Sequence, residues 1–152
     1  MQARMKNPAL VLQGVNAGIQ AMMAPIFQSG IAKTTLDIVG LRVGQMNNCE
    51  LCIGQAMNAA DQDVDMRERL LAVVAWRESD RFTAAERSAL FLCEAVTELK
   101  ARYDSVPDSL WREVEQYYDE SSRAALVLFI CAMNMFTRIN VCTRQTTPNW
   151  EQ

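Results

Sequence analysis

The fold class follows most directly from residues 36–52, which read LDIVGLRVGQMNNCELC. Apolar side chains recur through the first half of this stretch at steps of three and four, which is the spacing of one face of an α-helix. These residues are Leu36, Val39, Val43 and Met46. The pair Asn47-Asn48 is typical of a turn, and Asn48 is a suitable N-cap for a new helix that starts at Cys49. The stretch therefore predicts two successive helices, and the second begins with a C-x-x-C.

The rest of the chain repeats this helical periodicity, and no segment has the alternation of a β-strand. Thr83 and Glu86 have the spacing of a capping box, which marks a helix start, and a break is predicted at residues 103–107. The predicted helices run from after Pro8 to near Phe27, over residues 36–46, from Cys49 to about Ala60, from Val64 to about Trp76, from Thr83 to the break, from Pro107 to Tyr118, and from after Asp119 to about Cys142. We therefore predict an all-α protein, a single-domain helical bundle of about seven helices over residues 1–152, with the C-x-x-C at the start of the third helix.

Composition narrows the range of functions. The 152 residues carry a formal net charge of −3, and the sequence pI is near 5.0. Phosphate binding needs a concentrated basic face, so a nucleic-acid partner is not expected. The chain contains no histidine, which removes the usual general base and the commonest zinc ligand. Any chemistry must therefore use other side chains.

Charged residues are unevenly distributed along the chain. Residues 1–60 carry four basic and two acidic side chains, whereas residues 61–152 carry eleven and sixteen. Interfaces between subunits are depleted of charge, so the asymmetry is consistent with a homo-oligomer in which another copy covers the N-terminal surface. Burial of the first helices in the chain's own core would explain the same asymmetry.

The sequence predicts neither a membrane protein nor a secreted one. Polar residues interrupt the apolar stretch after Lys6, so it matches neither a signal-peptide core nor a membrane span. The five cysteines form an odd set without the density of a secreted disulfide scaffold. They are Cys49, Cys52, Cys93, Cys131 and Cys142. We expect a cytoplasmic protein in which most thiols are reduced.

The C-x-x-C is the group best suited to chemistry. A helix start favours a thiolate, and one helical turn brings the sulfurs of Cys49 and Cys52 close enough for a reversible disulfide. Glu50 opposes this effect by placing a carboxylate beside the thiols. A zinc site would need a second pair of ligands, which the scattered cysteines do not supply, and no other metal or cofactor motif is present. Two ordinary buried cysteines remain an alternative.

Three blocks of sequence resemble those of the alkyl hydroperoxidase D-like, or carboxymuconolactone decarboxylase, family. Residues 37–52 resemble the family signature, in which an acid precedes a helix ending in Gln-x-Asn and a C-x-x-C follows. Residues 81–90 are similar to its Phe-x-x-x-Glu-Arg-x-x-Leu helix. Residues 133–139 are similar to its Asn-x-Trp-Asn-Arg segment, with Phe136 and Thr137 in place of Trp and Asn. The resemblance implies an all-α domain that forms trimers or hexamers and reduces hydroperoxides through its cysteines.

The resemblance also implies roles for individual residues. Cys52 is expected to attack the peroxide and become a sulfenic acid, Cys49 to resolve it as a disulfide, and a thiol reductant to reset the pair. Asp37 stands where the family has glutamate, and Ala56 where it has a histidine. If the two helices form an antiparallel hairpin, Asp37 lies level with Ala56 and can assist through water. A positioned base contributes about 10²–10⁴-fold, so loss of the histidine predicts a weakened peroxidase.

Other interpretations remain open. Asp37 can be an ordinary surface acid, and the chain can be a binding or structural member of the family, or a disulfide-exchange protein. Lactone decarboxylation is disfavoured, because that branch of the family works without a C-x-x-C. Arg42 and Arg138 are candidates for steering an anionic substrate, although arginine on helices is mostly a surface or ion-pair residue. Gln55 is a candidate hydrogen-bond donor to a bound oxygen species.

Overall fold

The structure is a computed structural model that describes residues 2–99 and 104–146; Tyr103, the first residue of the predicted break, lies outside them. Within these residues every regular element is a helix, which confirms the all-α prediction. The α-helices are α1 Pro8–Val11, α2 Val15–Phe27, α3 Lys33–Met46, α4 Glu50–Ala59, α5 Val64–Ala72, α6 Ala84–Thr97, α7 Asp108–Tyr117 and α8 Glu120–Thr143. A 3-10 turn, Val73–Ala75, follows α5 and replaces the last turn of the predicted fourth helix.

The described residues hold eight α-helices rather than seven, because the predicted first helix is divided in two. Leu12 is extended, with φ −88° and ψ 120°, and ends α1. Gly14 then takes φ 85°, a left-handed conformation that glycine adopts without steric cost. The apolar periodicity continues across this break, so periodicity alone did not reveal it.

The turn before the C-x-x-C differs from the prediction by one residue. Cys49, and not Asn48, is the N-cap of α4, and its Sγ accepts a hydrogen bond from the Cys52 backbone N–H at 3.3 Å. Asn48 has φ 52°, which is the left-handed conformation that asparagine tolerates in turns. The Thr83–Glu86 capping box is confirmed, with both of its reciprocal hydrogen bonds present.

The core is organised around α3, which packs against α4, α6 and α8. Its apolar side chains are almost fully buried, and each stabilises the fold by about 1.5–3 kcal/mol relative to exposure. Those with the least exposure are Ile38, Val39 and Val43. The helix α3 therefore ties the hairpin that carries the C-x-x-C to both α6 and α8.

The long helix α8 passes along α2, α3, α6 and α7. One of its faces is exposed, with Leu128 51% and Met135 38% accessible. Among the helices that the structure describes, α8 is the one long and apolar enough to cross a membrane by length and composition alone. Its contacts with four other helices are those of a central helix in a bundle.

The N-terminal segment fixes the end of α8. The Arg4 backbone N–H donates to the Thr143 carbonyl at 2.9 Å, and the Arg4 guanidinium donates to the Cys142 carbonyl at 2.8 Å. Gln145 Nε2 donates to the Met5 carbonyl at 2.9 Å. These contacts join the two ends of the described chain and hold the last turns of α8 in place.

In contrast to α3, the helix α2 is mostly exposed. It buries only Ile26 of its thirteen residues, whereas Val15, Met22 and Phe27 are exposed. Burial in the chain's own core therefore does not explain the uncharged sequence of α2, and the buried helix α3 itself carries Lys33, Asp37 and Arg42.

Candidate active site

Cys49 and Cys52 form a disulfide with an S–S distance of 2.03 Å and a Cα–Cα distance of 5.3 Å. The two residues lie at the first turn of α4, where Cys49 is 2% exposed and Cys52 is 9% exposed. The pair can thus open and close within one helical turn, as a redox dithiol requires.

Gly44 allows α3 to approach this disulfide closely. A Cβ atom at Gly44 would lie 3.3 Å from Cys52 Cβ and 3.7 Å from Ile53 Cγ1, a tight contact for any side chain. The Cys49 backbone N–H also donates to the Gly44 carbonyl at 2.9 Å, across the turn. The absence of a side chain at position 44 therefore sets the position of Cys52 against α3.

Asn134 of α8 joins the first and third blocks of sequence that resemble the family motifs, and it also contacts the end of α6. It accepts a hydrogen bond from Asn47 Nδ2 at 3.1 Å and donates to Thr97 Oγ1 at 2.9 Å. The Arg138 guanidinium contacts both the carbonyl and the side-chain oxygen of Asn134. The turn before the C-x-x-C, the end of α6 and the middle of α8 are thereby held together.

A cavity of about 650 Å³ lies beside the disulfide, between α2, α3, α4, α5 and α8. Cys52 lies on its wall and Cys49 does not. Most of the wall is apolar, with contributions that include Ile19, Met23, Leu41, Phe129, Met133 and Phe136. A substrate in this cavity would therefore meet the sulfur of Cys52 first.

Asp37 and Ala56 both lie on the wall of this cavity. The Asp37 carboxylate forms an ion pair with Lys33 at 2.6 Å, and its side chain is 33% exposed. Asp37 thus has the ion pair and partial exposure of a surface acid, and it also lines the cavity as an assisting acid would. Ala56 contributes only a methyl group, while its neighbour Gln55 adds an amide to the same wall.

Sequence reasoning missed Asn140. Its Nδ2 donates a hydrogen bond to Cys52 Sγ at 3.5 Å, and its side chain lines the cavity. Asn140 lies 88 residues from Cys52 and reaches it from near the end of α8. The only signal in the sequence was its position just after the third motif block, which carried no pairing information.

The two arginines considered for substrate steering, Arg42 and Arg138, bind other side chains outside the cavity. Arg42 pairs with Glu94 at 2.8 Å, and Glu94 also accepts hydrogen bonds from Trp76 Nε1 and Arg77. Burial alone would raise the pKa of Glu94, but the hydrogen bonds from Arg77 and Trp76 and the charges of Arg42 and Arg77 outweigh it and lower that pKa. Arg138 is held by Asn134, so neither Arg42 nor Arg138 lines the cavity.

The other cysteines lie away from the site. Burial, with a smaller effect of the Glu94 charge, raises the pKa of the Cys93 thiol to about 12, which makes this residue inert at neutral pH. Cys131 and Cys142 are exposed on α8. Among residues 2–99 and 104–146, no group of three or more His, Cys, Asp or Glu side chains is placed to hold a metal ion.

Comparison with known proteins places this architecture in a family. The model of the carboxymuconolactone decarboxylase family matches residues 11–95. The uncharacterized protein YdfG of Bacillus subtilis is 35% identical over 114 residues, which cover 75% of this chain and 76% of that protein. The uncharacterized protein YnjA of Escherichia coli is 29% identical over 103 residues, 68% of this chain and 55% of that protein. The chain belongs to the carboxymuconolactone decarboxylase family.

Solved structures share the fold. ATU0492 of Agrobacterium tumefaciens, described as a candidate AhpD antioxidant defence protein, superposes with a TM-score of 0.83 at 23% identity, over 95% of this chain and 97% of that chain. The debrominase Bmp8, solved with 2,3,4-tribromopyrrole, has a TM-score of 0.73 at 16% identity, over 87% of this chain and 70% of that chain. At these identities the likeness defines the fold and leaves the reaction to be argued from the site.

Proposed function

We propose that this protein is a dithiol peroxidase that reduces organic hydroperoxides through Cys52 and Cys49. One observation carries the proposal: the two cysteines close a disulfide, and only Cys52 lies on the wall of a large, mostly apolar cavity. The more accessible sulfur is the natural nucleophile, and the enclosed one is the natural resolving thiol. This assignment agrees with the roles implied by the family resemblance.

The reaction balances with these two thiols and an external reductant. The Cys52 thiolate attacks the hydroperoxide, so that an S–O bond forms as the O–O bond breaks, and the alkoxide takes a proton from water to leave as an alcohol. Cys49 then attacks the sulfenic sulfur, which forms the disulfide and releases water. A small thiol reductant reduces the disulfide and is itself oxidised. It must enter through the cavity and attack Cys52, because Cys49 is 2% exposed.

Asp37 assists this reaction weakly and through water. Its carboxylate lines the same cavity as Cys52 but is paired with Lys33, so it orders water more readily than it removes a proton. Ala56 supplies no base at all. We therefore propose a slow peroxidase, about 10²–10⁴-fold below one with a positioned base.

The assembly we propose is a homo-oligomer, a trimer or hexamer, in the cytoplasm. Its support is the exposed apolar surface of the N-terminal helices, formed by Leu10, Val11, Leu12, Val15 and Met22. Exposed apolar side chains on two helices in contact, α1 and α2, are typical of a surface that another protein covers. Another copy of the chain fits it, because the first sixty residues carry few charges.

A turnover assay tests the proposal. Loss of an organic hydroperoxide is followed with a small dithiol as reductant, for the wild type and for the Cys52→Ser and Cys49→Ser variants. Both variants should lose turnover, whereas Cys131→Ser, which removes an exposed thiol outside the cavity, should retain it. Turnover that is equal in all four proteins would show that the dithiol is not the peroxidatic centre.

A double variant tests the effect of the missing base. Ala56→His, combined with Asp37→Glu, restores the acid and the histidine of the family on one cavity wall. Peroxide consumption should then rise by at least about tenfold, within the range a positioned base supplies. An unchanged rate would show that proton removal does not limit this protein.

The binding interpretation predicts a different result in the same assays. A non-catalytic family member would hold an apolar ligand in the cavity and leave its thiols unchanged by peroxide. A disulfide-exchange protein would react with other disulfides, but the 2% and 9% exposure of the two cysteines hinders access by a macromolecule. The peroxidase therefore accounts best for the site.

A further inference from the structure

We propose that Asn140 is a catalytic residue, whose side-chain amide stabilises the Cys52 thiolate in the place where the family uses a histidine. The inference rests on the proposed function, because it concerns the same sulfur. It goes beyond the family mechanism in assigning the thiolate contact to a residue of α8 rather than of α4. An amide donates a hydrogen bond but accepts no proton at neutral pH. Asn140 therefore replaces the histidine as a hydrogen-bond donor to the thiolate, but not as a base.

The geometry of the site supports this assignment. Asn140 Nδ2 lies 3.5 Å from Cys52 Sγ, within hydrogen-bond distance for sulfur. On the side of α4 that faces the cavity, Ala56 presents no polar atom to the sulfur. The Cys52 backbone N–H is directed to Cys49 Sγ at 3.3 Å, so it is engaged while the disulfide is closed. The polar contact made to Cys52 Sγ from another helix therefore comes from Asn140.

The backbone at Asn140 is held by the cap that ends α8 and by the N-terminal segment. Its carbonyl accepts the Gln145 backbone N–H at 2.9 Å, in the cap that ends α8. The same end of the helix is tied to Arg4 and Met5 of the N-terminal segment. The backbone that carries the amide is therefore held beside the sulfur by contacts that do not involve a substrate.

This arrangement predicts how the Cys52 thiol ionises and where its proton goes. Hydrogen bonding to a charged group favours that form, so the Asn140 amide lowers the pH at which Cys52 ionises. Other titratable groups on the cavity wall are Lys33 and Asp37 of α3 and Asp63 before α5. The described parts of α2 and α8 add none to that wall, and Glu50 of α4 is exposed. No neutral base lies on the described part of that wall and Asp37 is paired with Lys33, so the proposal assigns the proton of Cys52 to water.

An alkylation experiment measures the ionisation of Cys52 without any peroxide. In a Cys49→Ser background, the rate of reaction of Cys52 with iodoacetamide is followed against pH by peptide mass spectrometry. The pH midpoint should rise by about one unit in Asn140→Ala, as expected for a lost hydrogen bond to a charged group. Asn140→Asp keeps the size of the side chain and places a carboxylate beside the sulfur, so its midpoint should rise further.

The controls separate this inference from the proposed function. Asn58→Ala changes an exposed asparagine of α4 that is not on the cavity wall, and it should keep the wild-type midpoint. Equal midpoints in the background protein, Asn140→Ala and Asn140→Asp would overturn the role of Asn140, even if peroxide turnover is found. If Asn140→Ala does not fold, Asn140→Leu decides the question, because it removes the donor at a similar side-chain size and adds no charge beside the sulfur. Raised midpoints in a protein that consumes no peroxide would confirm the role of Asn140 and overturn the proposed function.

Discussion

The side-chain amide of Asn47 donates a hydrogen bond to Asn134 Oδ1 at 3.1 Å, across 87 residues of chain. Asn47 belongs to the turn that precedes the C-x-x-C, and Asn134 is an 8%-exposed residue in the middle of α8. This bond fixes the hairpin of α3 and α4 relative to α8. Because Cys52 lies on the hairpin and Asn140 on α8, this bond and the packing of α3 against α8 together hold the two residues beside each other.

Replacing Asn134 should therefore destabilise the fold. Asn134→Leu removes the hydrogen bonds to Asn47 and Thr97, which lie at half-buried positions. The loss should cost about 0.5–1.5 kcal/mol for each bond and about 1–3 kcal/mol in total. Urea unfolding measures the loss, with Asn58→Leu as the control at an exposed position. A change within about 0.5 kcal/mol, the usual range for surface substitutions, would show that the cluster adds nothing to stability.

The close approach at Gly44 gives a second prediction. Gly44→Val places a branched side chain where a Cβ alone would be 3.3 Å from Cys52 Cβ, and overpacking of this kind costs about 1–3 kcal/mol. Gly18→Ala is the matched control, because a Cβ at Gly18 meets no atom within 4 Å. Loss of Gly in a helix should stabilise that control by about 0.4–1 kcal/mol. Thermal unfolding of both variants checks the signs, and a stabilised Gly44→Val would contradict the packing.

The lowered pKa of Glu94 predicts that the free energy of unfolding depends on pH. Because its pKa is lowered in the folded state, the carboxylate contributes stability above its unfolded value of 4.5, and this contribution is lost as the pH falls through the folded pKa. Glu94→Gln should thus be less stable than the wild type at pH 7, and the difference should shrink below pH 4.5. Urea unfolding across this range measures the difference, with exposed Glu78→Gln as the control. A difference that does not change with pH would contradict the lowered pKa.

The exposed apolar helices predict the assembly. Wild-type protein should have the mass of three or six 17.1-kDa chains by light scattering. Leu12→Asp and Met22→Asp should reduce that mass, because a charge at the centre of an apolar interface is costly. Leu71→Asp on α5 is the control, since Leu71 is 59% exposed but lies outside the charge-poor region. A wild-type protein with the mass of one chain would exclude the oligomer.

Local signals were readable from the sequence. The capping box at Thr83 was predictable because both of its partners lie within one turn, and the C-x-x-C helix start was predictable to within one residue. The break at Gly14 was missed, because apolar periodicity continues through it and a single glycine does not always end a helix. The packing of α3 against α4, with Asp37 and Ala56 on one cavity wall, is consistent with the predicted hairpin.

Long-range contacts were not readable in the same way. Asn140 meets Cys52 only because α8 crosses the end of the hairpin, and no spacing along a single chain encodes that crossing. Arg42 was considered for substrate steering because its partner Glu94 lies 52 residues away and was not apparent. Side chains whose partners lie in distant helices are therefore the ones for which the structure changes the interpretation.

The central claim is that Cys52 is the sulfur that peroxide oxidises. The most direct measurement is mass spectrometry of the Cys49→Ser variant, treated with an organic hydroperoxide and then with a reagent that traps sulfenic acids. The account predicts that the trap is found on Cys52, and that the reduced wild-type protein loses two thiols to the Cys49–Cys52 disulfide under the same treatment. A Cys52 thiol that persists, reacting no faster than free cysteine, would contradict it.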